Sequence, residues 1–89
     1  MVVEPDFNKV WRESKPEPIV KLCEGVKALF WAGVVDYGND KALLIFTSNK
    51  NTGYITGRFL LPKEALLGFL KEKDTLLRGL GLNGGQQTV

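Results

Sequence analysis

The sequence predicts an α+β domain, with an antiparallel meander of three to four strands flanked by two N-terminal helices and one C-terminal helix. Three observations lead there. The run Leu43-Leu44-Ile45-Phe46 and the alternating stretch Tyr54 to Leu61 lie on either side of a polar loop rich in Asn and Gly, as the two arms of a hairpin do. Apolar residues recur at three- and four-residue spacing before and after that hairpin, which is the period of amphipathic helices. The chain has 89 residues, 44% hydrophobic and 25% charged, the composition of one ordinary folded domain. Residues 1–82 are expected to form that domain and 83–89 a flexible polar tail.

Met1 to Pro5 reads as extended chain. From Asp6 to Ser14 the residues Phe7, Val10 and Trp11 fall at i, i+3 and i+4, one face of a short helix with Asp6 as its N-cap. Lys15-Pro16-Glu17-Pro18 interrupts it, because each proline pushes its predecessor out of the helical region. The strongest helical period follows. Ile19, Leu22, Cys23, Val26, Leu29 and Phe30 lie within about 120° of a helix circumference. Pro18 suits the first helical position and Gly33 the C-terminal cap, so a second helix is the favoured reading. Gly25 would cost that helix about 1 kcal/mol. The alternative is two strands, Ile19 to Glu24 and Val26 to Val35, turning at Gly25. On the helical reading Cys23 is an inert core thiol, and Trp31 lies to the side of the apolar stripe.

Ala32 to Tyr37 reads as a strand and Gly38-Asn39-Asp40 as a turn. Lys41 to Ser48 is the most β-like segment, and a run this apolar needs cover on both faces. Asn49 to Gly53 forms the polar loop. Tyr54 to Leu61 then alternates, with Ile55, Gly57, Phe59 and Leu61 on one face and Tyr54, Thr56, Arg58 and Leu60 on the other. Pro62 opens the last helix, carried by Leu66, Phe69, Leu70, Leu76, Leu77 and Leu80, and Gly79 and Gly81 end it.

The composition bears against several functions. Histidine is absent, which removes the commonest metal ligand and the usual neutral-pH base. The single cysteine excludes an internal disulfide and a multi-cysteine zinc cage, and a lone thiol fits a reducing compartment, so the cytoplasm is the expected location. No metal or cofactor is expected. Uninterrupted apolar runs such as Ala42 to Phe46 reach five residues, far short of the roughly 20 that span a membrane. Thr47 and Ser48 have no histidine to activate them, and no phosphate-binding loop is present, so no enzyme is expected.

What the sequence offers is an uneven charge distribution. Residues 1–40 carry five basic and seven acidic side chains, and residues 64–89 carry three of each. Between them, Lys41, Lys50, Arg58 and Lys63 stand with no Asp or Glu. The same segment holds Phe46 and Tyr54. Cations that neutralise phosphates and rings that stack on bases are what single-stranded nucleic acid requires. The candidate binding residues are therefore Lys41, Lys50, Tyr54, Arg58 and Lys63, with Trp31 and Phe46 as further stacking rings, while the favoured reading of Trp31 is structural, packed on the adjacent sheet with its N–H bonded. The competing reading is an ordinary solvated edge strand whose lysines discourage aggregation. Leu66, Leu70, Leu77 and Leu80, with Lys73 between them, follow the four-three spacing of a coiled-coil seam, which makes a homodimer the second candidate association.

The order of elements adds a resemblance. A strand ending in Val34-Val35-Asp36, a hairpin through Lys50 and Thr56-Gly57-Arg58-Phe59, and Leu61-Pro62 opening Leu66-Leu67-Gly68-Phe69-Leu70 together resemble the ThermoDBP family of archaeal single-stranded DNA-binding proteins. More loosely, the arrangement resembles the transcriptional positive-cofactor and Whirly group. The resemblance covers roughly Trp31 to Lys73. It implies an antiparallel sheet with helices, DNA rather than RNA held in an aromatic and basic cleft, and dimerisation through helical leucines.

Overall fold

The computed structural model describes residues 1–11 and 15–82. In chain order it contains α1 (Phe7–Val10), β1 (Ile19–Glu24), β2 (Ala28–Tyr37), β3 (Asp40–Asn49), β4 (Ile55–Pro62), α2 (Lys63–Lys71) and α3 (Lys73–Gly79). The strands pair antiparallel in the order β1-β2-β3-β4, so the α+β class with a meander holds, with four strands.

The expected second helix is corrected. Residues 19–24 and 28–37 are strands, paired from Ile19↔Gly33 to Glu24↔Leu29, and the turn closes with Gly25 N–H donating to Ala28 O at 2.7 Å. The helical period was a coincidence of a two-sided sheet. Leu29 and Trp31 face one side, and Phe30 and Ala32 the other, so apolar residues fill nearly every position and several periods fit them. Consequently Cys23 is exposed on an edge strand, not an inert core thiol. The first helix is also shorter than expected, four residues capped by Asp6, and Arg12 to Ser14 lie outside the described residues, as does the predicted tail.

The strands meet at turns that their residues dictate. Tyr37 pairs with Asp40, leaving the two-residue turn Gly38-Asn39, and Gly38 takes φ 64°, as tight hairpins require. The loop from β3 to β4 is held by Asn49, whose Oδ1 accepts from the backbone N–H groups of Asn51 (2.8 Å) and Thr52 (3.1 Å). A register shift between Thr47 and Ser48 then changes which side β4 presents. Ile55, Arg58 and Leu60 lie on the same side as Phe46, and Phe59 on the opposite side, so the simple alternation expected from Tyr54 onward is broken at its start.

One face of the sheet, here the inner face, carries the core of Leu29, Trp31, Leu44 and Phe46. Trp31 and Phe46 are cross-strand partners with nearly parallel rings, 6.2 Å apart. Residues of α1 and its end cover them edge-on: Phe7 against Trp31 at 5.1 Å and Trp11 against Phe46 at 5.7 Å. Each such pair contributes about 0.5–1.5 kcal/mol beyond the area it buries. The N-terminal segment is tied down at both ends of this face. Val3 N–H donates to Lys50 O, and Glu17 N–H donates to Val34 O. Gly33 allows Pro16 to lie directly against β2, since a Cβ there would meet Pro16 Cβ at 2.7 Å.

The predicted C-terminal helix is two helices, broken at Glu72 (φ −98°, ψ 9°). Pro62 ends β4 and precedes α2, where its missing N–H costs nothing. The end of α3 is a Schellman motif, with Leu82 N–H donating to Leu77 O, Gly81 N–H donating to Arg78 O, and Gly81 at φ 83°. None of the residues of α2 and α3 is fully buried. The chain is flat, 39 × 39 × 17 Å.

Candidate nucleic-acid interface

Phe46 and Trp31 are removed from the candidate set. Phe46 is 1% exposed and Trp31 5%, because the register places both on the inner face beneath Phe7 and Trp11. Trp31 Nε1 donates to Ser48 Oγ at 3.0 Å, and Ser48 is itself fully buried. Neither ring is open to a base.

The four cations divide into two kinds. Asp36 and Lys41 face each other across the β2–β3 hairpin, and the Lys41 ammonium donates to Asp36 Oδ1 at 2.7 Å. That bond holds the Lys41 pKa above its ordinary value. Lys63, the first residue of α2, reaches Asp40 Oδ1 at 2.7 Å, and this hydrogen bond, with that from the Lys41 backbone N–H, holds the Asp40 carboxyl below its usual range. At this end of the hairpin the positive charge is matched by carboxylates from outside the segment.

Lys50 and Arg58 differ. Among the described residues neither meets a carboxylate. Lys50 Nζ donates to Gly25 O at 3.1 Å, which fixes the ammonium beside the β1–β2 turn with its charge uncompensated. Arg58, exposed on edge strand β4, lies over Trp11 with its guanidinium carbon 4.9 Å from the ring centroid. A cation–π contact of this kind contributes about 0.5–1 kcal/mol at the surface and orients the guanidinium. It still leaves the N–H donors available to a phosphate.

Tyr54, just before β4, is 73% exposed. It lines a shallow hollow of about 360 Å³ together with Val3, Glu4, Pro5, Asp6, Lys9 and Val10. The hollow carries both signs of charge. Glu4 is engaged by Lys21 at 3.0 Å, while Asp6 caps α1 through a 3.2 Å bond from Asn8 N–H. Gly53 makes this approach between loop and N-terminal segment feasible, since it takes φ 79° and a Cβ would lie 3.1 Å from Val3 Cγ1.

The structure therefore brings Tyr54 and Arg58 to one edge of the sheet beside the N-terminal segment, with Lys50 at the loop end. It separates them from Lys41 and Lys63, which stand at the opposite end of β3. Sequence reasoning assigned Trp11 no part in the site. Its contact with Arg58 follows from the side that β4 presents, which the register shift conceals. Among the described residues no cluster of three His, Cys, Asp or Glu side chains could hold a metal, and no helix is long and apolar enough to cross a membrane.

No family model, no curated protein and no solved structure matches this chain.

Proposed function

We propose that the chain binds single-stranded nucleic acid, DNA in preference to RNA, without strong sequence preference, along the β4 edge and across the adjoining end of the sheet, where Lys50 stands beside the β1–β2 turn. One observation carries this reading: Arg58, oriented by Trp11, and the exposed ring of Tyr54 lie on the same edge, with no carboxylate on Arg58 among the described residues. They stand four positions apart, at most roughly 13 Å of extended chain, a span that one single strand can bridge from base to phosphate. Tyr54 offers a sequence-tolerant stacking surface, while Arg58 and Lys50 displace counterions from phosphates. Lys41 and Lys63 contribute less, because phosphate must compete with Asp36 and Asp40. The preference for DNA rests on the family resemblance alone.

The test is fluorescence anisotropy with labelled single- and double-stranded DNA and single-stranded RNA at two salt concentrations. The reading predicts tighter binding to the single strand and affinity that falls with salt. Salt-independent binding, or equal affinity for duplex, contradicts it.

A second reading, a protein-interaction module that self-associates through Leu66, Leu70, Leu77 and Leu80, has its own supporting observation. Leu70 and Leu80 are 49% and 73% exposed, and the helices that carry them bury none of their residues fully. The break at Glu72 means these leucines do not lie on one continuous helix, so a single long coiled-coil seam is not the form such an association takes. Sedimentation velocity over a range of concentrations tests it, and a chain that stays monomeric at high micromolar concentration contradicts it.

A further inference from the structure

We infer that two copies of this chain pair antiparallel along their β4 edges, across a two-fold axis at Phe59, into one continuous sheet. The seam is independent of the nucleic-acid reading and uses a different surface from the leucines of α2 and α3.

The direction of each backbone group on β4 follows from the other side of the sheet. Val34 bonds away from β3: its N–H donates to Pro18 O at 3.1 Å, and its C=O accepts from Glu17 N–H at 2.8 Å. Backbone groups alternate sides along a strand, so Gly33 and Val35 bond toward β3, to their partners Leu44 and Ala42. By the same alternation Leu43 and Ile45 bond toward β4, to Leu61 and Phe59. Arg58 and Leu60 therefore turn both N–H and C=O outward. The register shift at Thr47 lies before this stretch, and among the described residues no backbone bond from outside the sheet reaches it. The helix that follows leaves it open as well, because the first residue of α2, Lys63, turns inward to Asp40 at the head of β3.

The two edges of the sheet are not alike. A register shift interrupts β1 after Lys21, whose ammonium is held by Glu4 and Glu24. Bulges and charges of this kind deter strand pairing. On β4 the one charged residue is Arg58, and its guanidinium stands over Trp11 on the inner side, out of the plane in which a strand would add. An open run of backbone donors and acceptors is a template for another strand, and a second β4 carries the matching run. A two-fold axis at Phe59 lets Arg58 exchange both bonds with the partner's Leu60, and closes the pair with nothing left over. It also sets Phe59, 63% exposed, against the partner's Phe59 in the close, non-hydrogen-bonded position. Other registers fit worse. An axis at Arg58 opposes two like charges, and one at Leu60 opposes Arg58 to the partner's Pro62, which has no N–H to give. With the axis at Phe59 the two Arg58 residues become diagonal neighbours on the inner side, with backbones about 7–8 Å apart, so the seam joins two copies of the proposed cationic site.

Disulfide trapping locates the seam. In a Cys23→Ser background, Phe59→Cys and Val20→Cys each place one thiol at an exposed position, on β4 and on the far edge respectively. A non-hydrogen-bonded cross-strand pair brings Cα atoms to about 4.5 Å, inside the range of about 4.4–6.8 Å that a disulfide spans. Mild oxidation should convert most of the Phe59→Cys chain to covalent dimer, while Val20→Cys stays largely single. Leu60→Pro supplies a second readout, because it removes an outward N–H and no bond to β3. By sedimentation velocity it should dimerise about tenfold more weakly than wild type, or worse, with unchanged far-UV circular dichroism. Where Leu60→Pro does not fold, the trapping comparison decides alone. A wild-type chain that is monomeric at high micromolar concentration overturns the seam, as does a folded Leu60→Pro dimer of wild-type strength. Equal trapping of the two thiols overturns it too. A wild-type dimer in which Phe59→Cys escapes trapping does the same, and leaves the leucines of α2 and α3 as the surface of association. Single-strand binding is read separately, by anisotropy, so the seam and the nucleic-acid reading fail by different measurements.

Discussion

Replacing Ser48 with Ala removes the acceptor that Trp31 Nε1 meets at 3.0 Å, in a place where water cannot substitute. Ser48 is fully buried and Trp31 5% exposed, so the indole N–H would be left without a partner. Stranding a buried donor costs about 1–3 kcal/mol, whereas the volume lost is a single oxygen. A domain of this length has a total stability of about 4–13 kcal/mol, so the loss is a large fraction of it. The thermal midpoint should fall by about 4–8 °C for each kcal/mol. Urea unfolding followed by far-UV circular dichroism measures the loss, at one fixed protein concentration because association would shift the midpoint. Trp31→Phe supplies the control, since it removes the donor. Ser48→Ala made in that background should cost at least about 1 kcal/mol less than in the wild type. Equal costs in the two backgrounds would refute the argument, because the Ser48 hydroxyl would then matter for some reason other than Trp31.

Gly33→Ala should destabilise by about 1–3 kcal/mol through overpacking, because the new Cβ meets Pro16 Cβ at 2.7 Å and Pro18 O at 3.2 Å; an unchanged urea midpoint would contradict it. Tyr54→Ala should weaken single-strand binding by about 1–3 kcal/mol yet leave the unfolding midpoint unmoved, since the ring is 73% exposed. Loss of stability without loss of affinity would return Tyr54 to a structural role. Asp40 should titrate below the ordinary carboxyl range by NMR, because Lys63 and the Lys41 backbone N–H bond its ionised form. The sign follows from a depressed folded-state pKa: the link helps the fold above the ordinary carboxyl value and is lost as pH falls through the lowered one. Lys63→Met should move the Asp40 midpoint upward, and an unmoved midpoint would show that the ion pair does not form in solution.

Much of the fold can be read from the residues, and the failures have physical causes. β3 was legible as a strand because Leu43 to Phe46 is apolar at every position and Asn49 to Gly53 supplies unmistakable turn chemistry, but the cover expected on both faces is complete only on the inner one, where Leu44 and Phe46 are buried while Leu43 and Ile45 stay half-buried. Residues 19–31 were not, because a sheet apolar on both faces erases the two-residue alternation and lets a helical period fit by accident. The break at Glu72 leaves the leucine spacing intact, so nothing in that spacing announces two helices. At the candidate site, the cations were visible as sequence, but their partners were not. The Asp36–Lys41 pair depends on a two-residue turn between Tyr37 and Asp40, and the Lys63–Asp40 pair depends on where α2 begins in space. In sequence, Phe46 and Trp31 read as candidate stacking rings beside a structural reading of Trp31, and the register settles both as core by setting them side by side on the inner face. Arg58 shares that side because of the register shift after Thr47, which also brings it to Trp11.

The salt dependence of single-strand binding tests the proposed interface most directly. Anisotropy is measured with a labelled single-stranded oligonucleotide across a salt series, for the wild type and for the double variant Lys50→Ala, Arg58→Ala. If these two cations lie on phosphates, the double variant should bind every sequence more weakly, and its log–log salt slope should be shallower by about 1.4, at about 0.7 for each lost contact. A wild-type slope in the double variant, or a wild type that does not bind single strands at low salt, would contradict the assignment of the β4 edge to nucleic acid.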